Sequence, residues 1–309
     1  MLGALIIDKP EGLTSHDVVA RVRRAAGMRR VGHAGTLDPF ATGVLVCCIG
    51  TATRLVQFLV GLDKAYQATV RLGYATDSQD GTGKQITPLR SSMEVSLDDV
   101  WRILREFTGP QLQIPPMFSA KKVGGERLYR AAREGREVER EPISIVVHSI
   151  ALIDEDVSGL ATNEDGTAEF SINVRCSSGT YVRTLAHDIG ERLGAGAHLV
   201  ALRRTEVGHF RLKQALTLDE LETMERDALA DAIISPNDML MHLPALAIDD
   251  EETRRVSNGR AITLSPEQAA AVEPAAHTVR LSDSKGTLVA VGEFDRDVRL
   301  VSPRVVLAG

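Results

Sequence analysis

A chain of 309 residues, 43% apolar but only 4% aromatic, is long enough for about two domains with cores built from aliphatic side chains. Its three cysteines, Cys47, Cys48 and Cys176, are odd in number, with two adjacent in an apolar run; this argues against a disulfide framework, offers no metal-ligand spacing and predicts buried thiols in a cytoplasmic protein. The net charge of −6 on its face speaks against a nucleic-acid partner, yet it conceals two basic stretches. Residues 1–64 carry eight basic against five acidic side chains, a surplus of three, and residues 171–213 carry seven against three, a surplus of four. Charges separated by more than roughly 8 to 10 Å are screened at physiological salt, so such patches can meet phosphates on an acidic protein.

The opening "MLGALIIDKP" has no basic leader, and Asp8 cuts its apolar run. It is read as a first strand, not as a signal peptide or the roughly 20-residue apolar span of a membrane helix. "TSHDVVARVRRAAG" carries a capping box, Thr14 with Asp17, and stops at Gly27, which predicts a helix with a basic face. "GVLVCCIG" predicts a buried strand and "TATRLVQFLVG" a helix after it. In "KAYQATVRLG" the alternation of Tyr66, Ala68, Val70 and Leu72 predicts a half-buried strand, followed by the polar loop "YATDSQDGTGKQITPLRSS". "SLDDVWRILREFTG" is a helix capped by Ser96 and Asp99 and closed by Gly109.

Residues 110–141 mix a proline pair, the exposed "MFSAKKVGG" and a short helix dense in Arg and Glu. "ISIVVHSIALID" and "AEFSINVRC" form a long hairpin across the acidic loop "EDVSGLATNEDGT", and "SSGTYVRTLAHDIGERLG" turns into a helix with Leu185, Ile189 and Leu193 on one face. "IISPNDMLMHLPALAIDD" reads as a linker. Beyond it, "VSNGRAITL", "HTVRLSDSKGTLVAVGEF" and "VRLVSPRVVLA" are short β segments separated by turn residues, the pattern of a small all-β domain.

Polar clusters thus stand at the ends of apolar strands, where mixed α/β folds build sites. Each has an ordinary explanation on its own. Asp38 before Pro39 is a common turn former, Arg183 an ion-pair residue, Tyr66 a core aromatic, His33 a turn histidine, and Asp80 part of a plain turn. Together, however, "DKPEGLTSHDVV", "RVGHAGTLDPFATGVL", "DKAYQATVRLGYATDSQDG", "IPPMFSAKKVGGERLYRAAREGREVER", "CSSGTYVRTLAHDIGERLG" and "LRRTEVGHF" closely resemble, in the same order, the TruB family of bacterial tRNA pseudouridine-55 synthases. The resemblance covers most of the first 213 residues. The tail is similar to a small PUA domain, chiefly through "NGRAI" and the terminal strands.

The resemblance implies a mixed α/β pseudouridine-synthase fold with a central mixed, largely antiparallel sheet flanked by helices and loops, plus a small C-terminal all-β PUA-like domain. It implies a catalytic domain over 1–235 with an RNA-gripping insertion at about 110–141, and the PUA-like domain over 243–309. The implied reaction isomerises uridine 55 in the tRNA T-loop: the C1′–N1 bond breaks, the base turns, and C5 joins C1′. No metal and no cofactor are implied, and the sequence has neither a P-loop nor a dinucleotide fingerprint. Asp38 is the implied catalytic carboxylate, Arg183 its bidentate partner and Tyr66 the ring that stacks on the flipped base. His33 is the implied residue inserted into the T-loop, Asp80 an acid near the polar edge of the base, and Leu202 an apolar contact. Lys121, Lys122, Arg127 and Arg130 would meet phosphates, with Lys9, Arg54 and Arg204 as structural or phosphate partners. The implied partner is the tRNA T-arm, bound by a monomer that requires no protein partner and no membrane.

Two other classes compete. A nucleotidyltransferase could use "GHAG" as a phosphate-binding histidine motif, but it needs a second phosphate-gripping loop that the sequence lacks. A catalytically silent RNA-binding or tRNA-folding protein could share the scaffold, against which intact Asp38, Tyr66 and Arg183 argue. A guide-RNA-dependent relative fits less well, because the insertion looks like the stand-alone bacterial type.

Overall fold

The computed structural model describes residues 1–90, 95–119, 121–123, 125–153 and 160–307. Of the stretches singled out above, 91–92 of the polar loop, Ala120 and Gly124 of the insertion, 154–159 of the acidic loop and 308–309 lie outside the described residues, as do the side chains of Lys122 and Arg127.

Strand β1 (Gly3–Lys9) is buried except at Asp8. Helix α1 (Ser15–Ala26) starts at the expected capping box and stops at Gly27, whose φ of 62° is the left-handed geometry of a terminating glycine. After β2 (Val31–His33) and β3 (Thr42–Ile49), the helix expected from residue 51 is mostly a 3-10 turn, Gly50–Leu55, with α2 reduced to Val56–Leu59. β-Branched Thr51, Thr53 and Val56 weaken a regular helix there.

Strand β4 (Lys64–Leu72) buries Ala68, Val70 and Leu72 on alternate positions. Helix α3 (Leu97–Glu106) has the Ser96/Asp99 capping box but ends at Phe107. Gly109 is not its cap: with φ at 106° it opens β5 (Gly109–Gln113), a backbone angle that suits glycine. The insertion adds a small ribbon, β6 (Lys122–Val123) and β7 (Glu126–Arg127), before α4 (Leu128–Arg133). Then follow β8 (Ile143–Leu152), β9 (Ala161–Thr162), β10 (Ala168–Cys176), α5 (Val182–Arg192), β11 (Ala197–Val207) and β12 (Phe210–Arg211). The C-terminal part comprises α6 (Leu218–Thr223), α7 (Arg226–Asp231), α8 (Pro236–Met239), β13 (Ala245–Ala247), α9 (Asp250–Ser257), β14 (Ile262–Thr263), α10 (Pro266–Ala271), β15 (Thr278–Ser282), β16 (Leu288–Asp295) and β17 (Leu300–Val306).

The chain divides into two compact units, Met1–Asp38 with Val44–Gly61 and Gly208–Gly309, and Pro39–Gly43 with Leu62–Val207. In the first unit, β2 pairs antiparallel with β3, and Leu5, Ile7, Val18, Val22, Leu45 and Leu221 share one apolar core. A five-stranded sheet, ordered β13-β15-β16-β17-β14, has its own core around Val279, Leu281, Phe294 and Val301. The expected C-terminal sheet is thus present, but it is not all-β: α9 and α10 contribute Val256 and Ala269 to that core. The acidic run at 249–252 supplies the capping box that starts α9, Asp249 with Glu252.

The stretch read as a linker is also packed structure. Met239 and Leu240 are fully buried, Ala4 and Ile234 form an antiparallel bridge, and Arg280 donates to the Asn237 and Leu243 carbonyls at 2.8 and 3.2 Å. Its prolines and polar residues mark short turns and caps, while its apolar residues fill the gaps between them.

The sheet of the second unit runs β11-β4-β10-β8-β5, every neighbouring pair antiparallel. Thr42 and Gly43, the start of β3, pair parallel with Arg203 and Arg204 of β11, which makes it the mixed, largely antiparallel sheet that the resemblance implied. Gly43 has φ 99°, and a Cβ on it would sit 2.2 Å from the Arg204 carbonyl oxygen, so no other residue fits.

Candidate active site

In the first unit the segment before Asp38 is fixed by its backbone. Leu37 N–H donates to Ser15 Oγ at 2.9 Å, and the Ser15 hydroxyl donates to Leu37 O at 3.2 Å. Gly35 turns the chain with φ 104°, a conformation that costs glycine little. Asp38 itself is half-exposed. It is bonded directly to Pro39, where the segment Pro39–Gly43 of the second unit begins. His33, on β2 opposite Cys47, is half-buried and lies edge-on to His16 with ring centroids 5.4 Å apart.

The second unit gathers four of the sequence-derived residues. Tyr66 on β4 stands opposite Val174 of β10 and Arg204 of β11 and remains half-exposed. Leu202 stands opposite Ala68 and is 8% exposed. Arg183 and Asp80 are each 4% exposed. Arg183, on the first turn of α5, donates through Nη1 to Ser78 O and through Nη2 to Phe118 O, both at 2.7 Å, and its Nη1 lies 3.6 Å from Asp80 Oδ2. Asp80 Oδ1 accepts from the Ser78 and Thr82 hydroxyls at 2.7 and 2.5 Å and from Thr82 N–H at 3.0 Å. Arg183 and Asp80 therefore share one buried polar network whose members hold one another in place.

Of the insertion residues, Lys121 is half-exposed and Arg130 exposed, so both can reach solvent-borne phosphates. Arg54 is exposed and donates to Val306 O at 2.6 Å. Lys9 and Arg204 are 0% and 2% exposed, which makes them structural cations rather than surface phosphate contacts. Burial and the Arg204 charge push the Lys64 ammonium down to about 8. Burial pushes the Cys48 and Cys176 thiols up to about 12 and about 11; both stay protonated at neutral pH and are poor nucleophiles.

Sequence reasoning missed Ser15, Ser78, Gln79, Phe118 and Thr184. All act through contacts between segments distant in sequence, for which no short pattern exists. All five lie inside quoted motifs, and what the motifs lack is the tertiary contact that uses each of them. Among the described residues, no cluster of three or more His, Cys, Asp or Glu side chains is placed to hold a metal ion, and no helix is long and apolar enough to cross a membrane.

Comparison with known proteins decides the family. The N-terminal domain of the TruB family pseudouridylate synthases matches residues 23–182, and the tRNA pseudouridylate synthase B C-terminal domain matches residues 183–242. The chain belongs to the TruB family. It is 43% identical over 296 residues to the tRNA pseudouridine synthase B of Solibacter usitatus, covering 95% of this chain and 96% of the relative. To that of Geobacter sulfurreducens it is 48% identical, covering 84% and 82%, and to that of Paenarthrobacter aurescens 41%, covering 97% and 95%.

Among solved structures, this TruB-family chain superposes on an archaeal box H/ACA sRNP Nop10-Cbf5 complex with a TM-score of 0.71 at 25% identity, covering 99% of this chain and 86% of the other. An H/ACA RNP bound to a substrate RNA containing 2′-deoxyuridine gives the same score at 24% identity, covering 100% and 86%. At that identity the second likeness is one of fold.

Proposed function

We propose that this chain isomerises uridine to pseudouridine at position 55 in the T-loop of tRNA. The observation that carries the reading is the 43% identity, spanning 95% of the chain, to a tRNA pseudouridine synthase B. The six motifs, at residues 8–19, around Asp38, around Tyr66 and Asp80, at residues 114–140, around Arg183 and around Leu202, support it.

In the reaction the C1′–N1 bond breaks, a C5–C1′ bond forms, C5 loses its proton and N1 gains one; atoms balance without an external oxidant or reductant. Asp38 is the carboxylate that acts at C1′, as nucleophile or base. Tyr66 stacks on the base once it leaves the T-loop, a contact worth about 1 to 3 kcal/mol, which offsets much of the few kcal/mol that flipping costs. His33 fills the space left in the loop. Arg183 supplies a guanidinium whose orientation is fixed by Ser78 O and Phe118 O, Asp80 faces the polar edge of the base, and Leu202 gives it an apolar wall. Lys121, Lys122, Arg127 and Arg130 grip phosphates of the folded arm, recognised by shape and splayed bases. The catalytic domain spans 1–235, and the sheet within 243–309 is an auxiliary RNA-binding domain. The protein works in the cytoplasm as a monomer that requires no other protein.

The test is incubation with unmodified tRNA followed by mapping of pseudouridine. Product at position 55 is expected. Tight binding without product would favour a silent RNA-folding protein on the same scaffold.

A further inference from the structure

Gln79 and Arg299 are the non-glycine residues with positive φ among those described. Gln79, at φ 63°, lies between Ser78 and Asp80, the two loop residues whose oxygens face Arg183. A side chain in the left-handed region persists only where its surroundings hold it, and such strain gathers at functional sites. Here the holder is visible. Thr184 Oγ, on the helix residue after Arg183, donates to Gln79 Oε1 at 2.7 Å, and Thr184 is 3% exposed. The Gln79 backbone is tied as well: its N–H donates to Thr76 O, and its carbonyl accepts from Leu199 N–H, both at 3.1 Å. Gly81 N–H then donates to Leu199 O at 2.7 Å.

Glycine would satisfy the backbone at position 79 without strain. What glycine lacks is the amide that meets α5. We infer that Gln79 is a positioning residue for Arg183: with Thr184 it anchors the 76–84 loop to α5, so that Ser78 O and Asp80 meet the guanidinium in one fixed geometry. The inference rests on the reading of Arg183 as a site residue. The adjacent helix residues Arg183 and Thr184 thereby grip the adjacent loop residues Ser78 and Gln79, and a shift of one carries the other. Arg183 also holds Phe118 O, so the same anchor sets where the insertion begins its grip.

The experiment compares Thr184→Val, Thr184→Ser and Gln79→Gly with wild type. Single-turnover pseudouridine formation, filter binding of the same unmodified tRNA, melting temperature and amide exchange at Gly81 and Leu199 are measured. Thr184→Val and Gln79→Gly should each slow the single turnover about ten- to hundredfold, the scale of a misplaced catalytic geometry. Affinity for tRNA should stay within about twofold, the signature of an interaction needed in the transition state. Thr184→Ser retains the hydroxyl and should restore most of the rate. Gln79→Gly relieves the backbone strain but takes the partner from the buried Thr184 hydroxyl, so its melting temperature should fall only modestly while the rate falls and affinity holds, a split that a merely structural role does not produce. A wild-type rate in Thr184→Val or Gln79→Gly, or no rescue by Thr184→Ser, overturns the inference. A wild-type protein that forms no pseudouridine overturns the function proposed above, and the anchor is then judged on exchange alone. Faster exchange at Gly81 and Leu199 in Thr184→Val upholds it, and unchanged exchange overturns it.

Discussion

Ser15 holds both backbone polar groups of Leu37, accepting from its N–H and donating to its carbonyl. One hydroxyl on the first turn of α1 thus fixes the residue that precedes Asp38, 22 positions away in sequence. With Ser15 at 1% and Leu37 at 4% exposure, water cannot replace it freely. Ser15→Ala leaves a buried donor and acceptor unsatisfied, and should cost about 1 to 3 kcal/mol of stability. Urea unfolding measures that loss. Single-turnover pseudouridine formation should fall further than tRNA affinity, because the turn is loosened where Asp38 sits; equal stability and rate in the variant would show that the turn holds itself.

The elements whose ends carry local chemistry were legible in the sequence. The boxes at Thr14/Asp17 and Ser96/Asp99 place the starts of α1 and α3 correctly, because a cap is written within four residues. Strand β11 was not legible as one strand. Its run Leu202-Arg203-Arg204-Thr205-Glu206 reads as polar, yet Arg204 is buried in the sheet, so hydropathy inverts where cations are interior. The site shows the same division. Motifs carried Asp38, Tyr66, Asp80 and Arg183, whereas the contacts that fix Arg183, to Ser78 and to Phe118 65 residues away, depend on tertiary closure. The linker reading failed because Pro, Asn and Asp signal turns equally well inside a packed segment and outside one.

The insertion should govern the salt dependence of RNA binding. If Lys121, Lys122, Arg127 and Arg130 each neutralise a phosphate, replacing one by Gln should flatten the slope of log affinity against log salt by about 0.7 to 0.9, and replacing all four by about 3. Filter binding of tRNA across a salt series reads this directly. An unchanged slope in the fourfold variant removes the insertion from the phosphate contacts.

Lys64 gives a pH dependence with a definite sign. Its ammonium is pushed down to about 8 in the fold, first by burial and then by the Arg204 charge, from an ordinary value of 10.5. Between those values the unfolded chain binds the proton and the folded chain does not, so stability rises with pH across that window. Below pH 8 both states are protonated and the full penalty persists, at most about 3.5 kcal/mol for a fall from 10.5 to about 8. Wild-type stability relative to Lys64→Met should therefore be flat from pH 6 to 7.5 and climb from about pH 8 to 10.5. Urea unfolding of both proteins at half-unit steps measures the difference, and a flat difference through pH 10 contradicts a buried, depressed lysine.

Asp38→Asn separates chemistry from recognition. The amide keeps the size of the side chain and its place before Pro39, but removes the negative charge and nearly all nucleophilicity. The base stacking proposed for Tyr66 and the insertion proposed for His33 do not involve this carboxylate, so tRNA should bind nearly as to wild type while single-turnover product formation collapses. Arg183→Lys keeps a positive charge but loses the planar fork that reaches Ser78 O and Phe118 O together, since one ammonium cannot reproduce two divergent N–H groups. It should lower the rate more than the affinity, and less severely than Asp38→Asn. Both variants are read by single-turnover assay beside filter binding of the same tRNA. If Asp38→Asn still isomerises within about tenfold of wild type, a loss under roughly 1.4 kcal/mol, then the carboxylate does not act on C1′ and the "GTLDP" segment serves only to turn the chain.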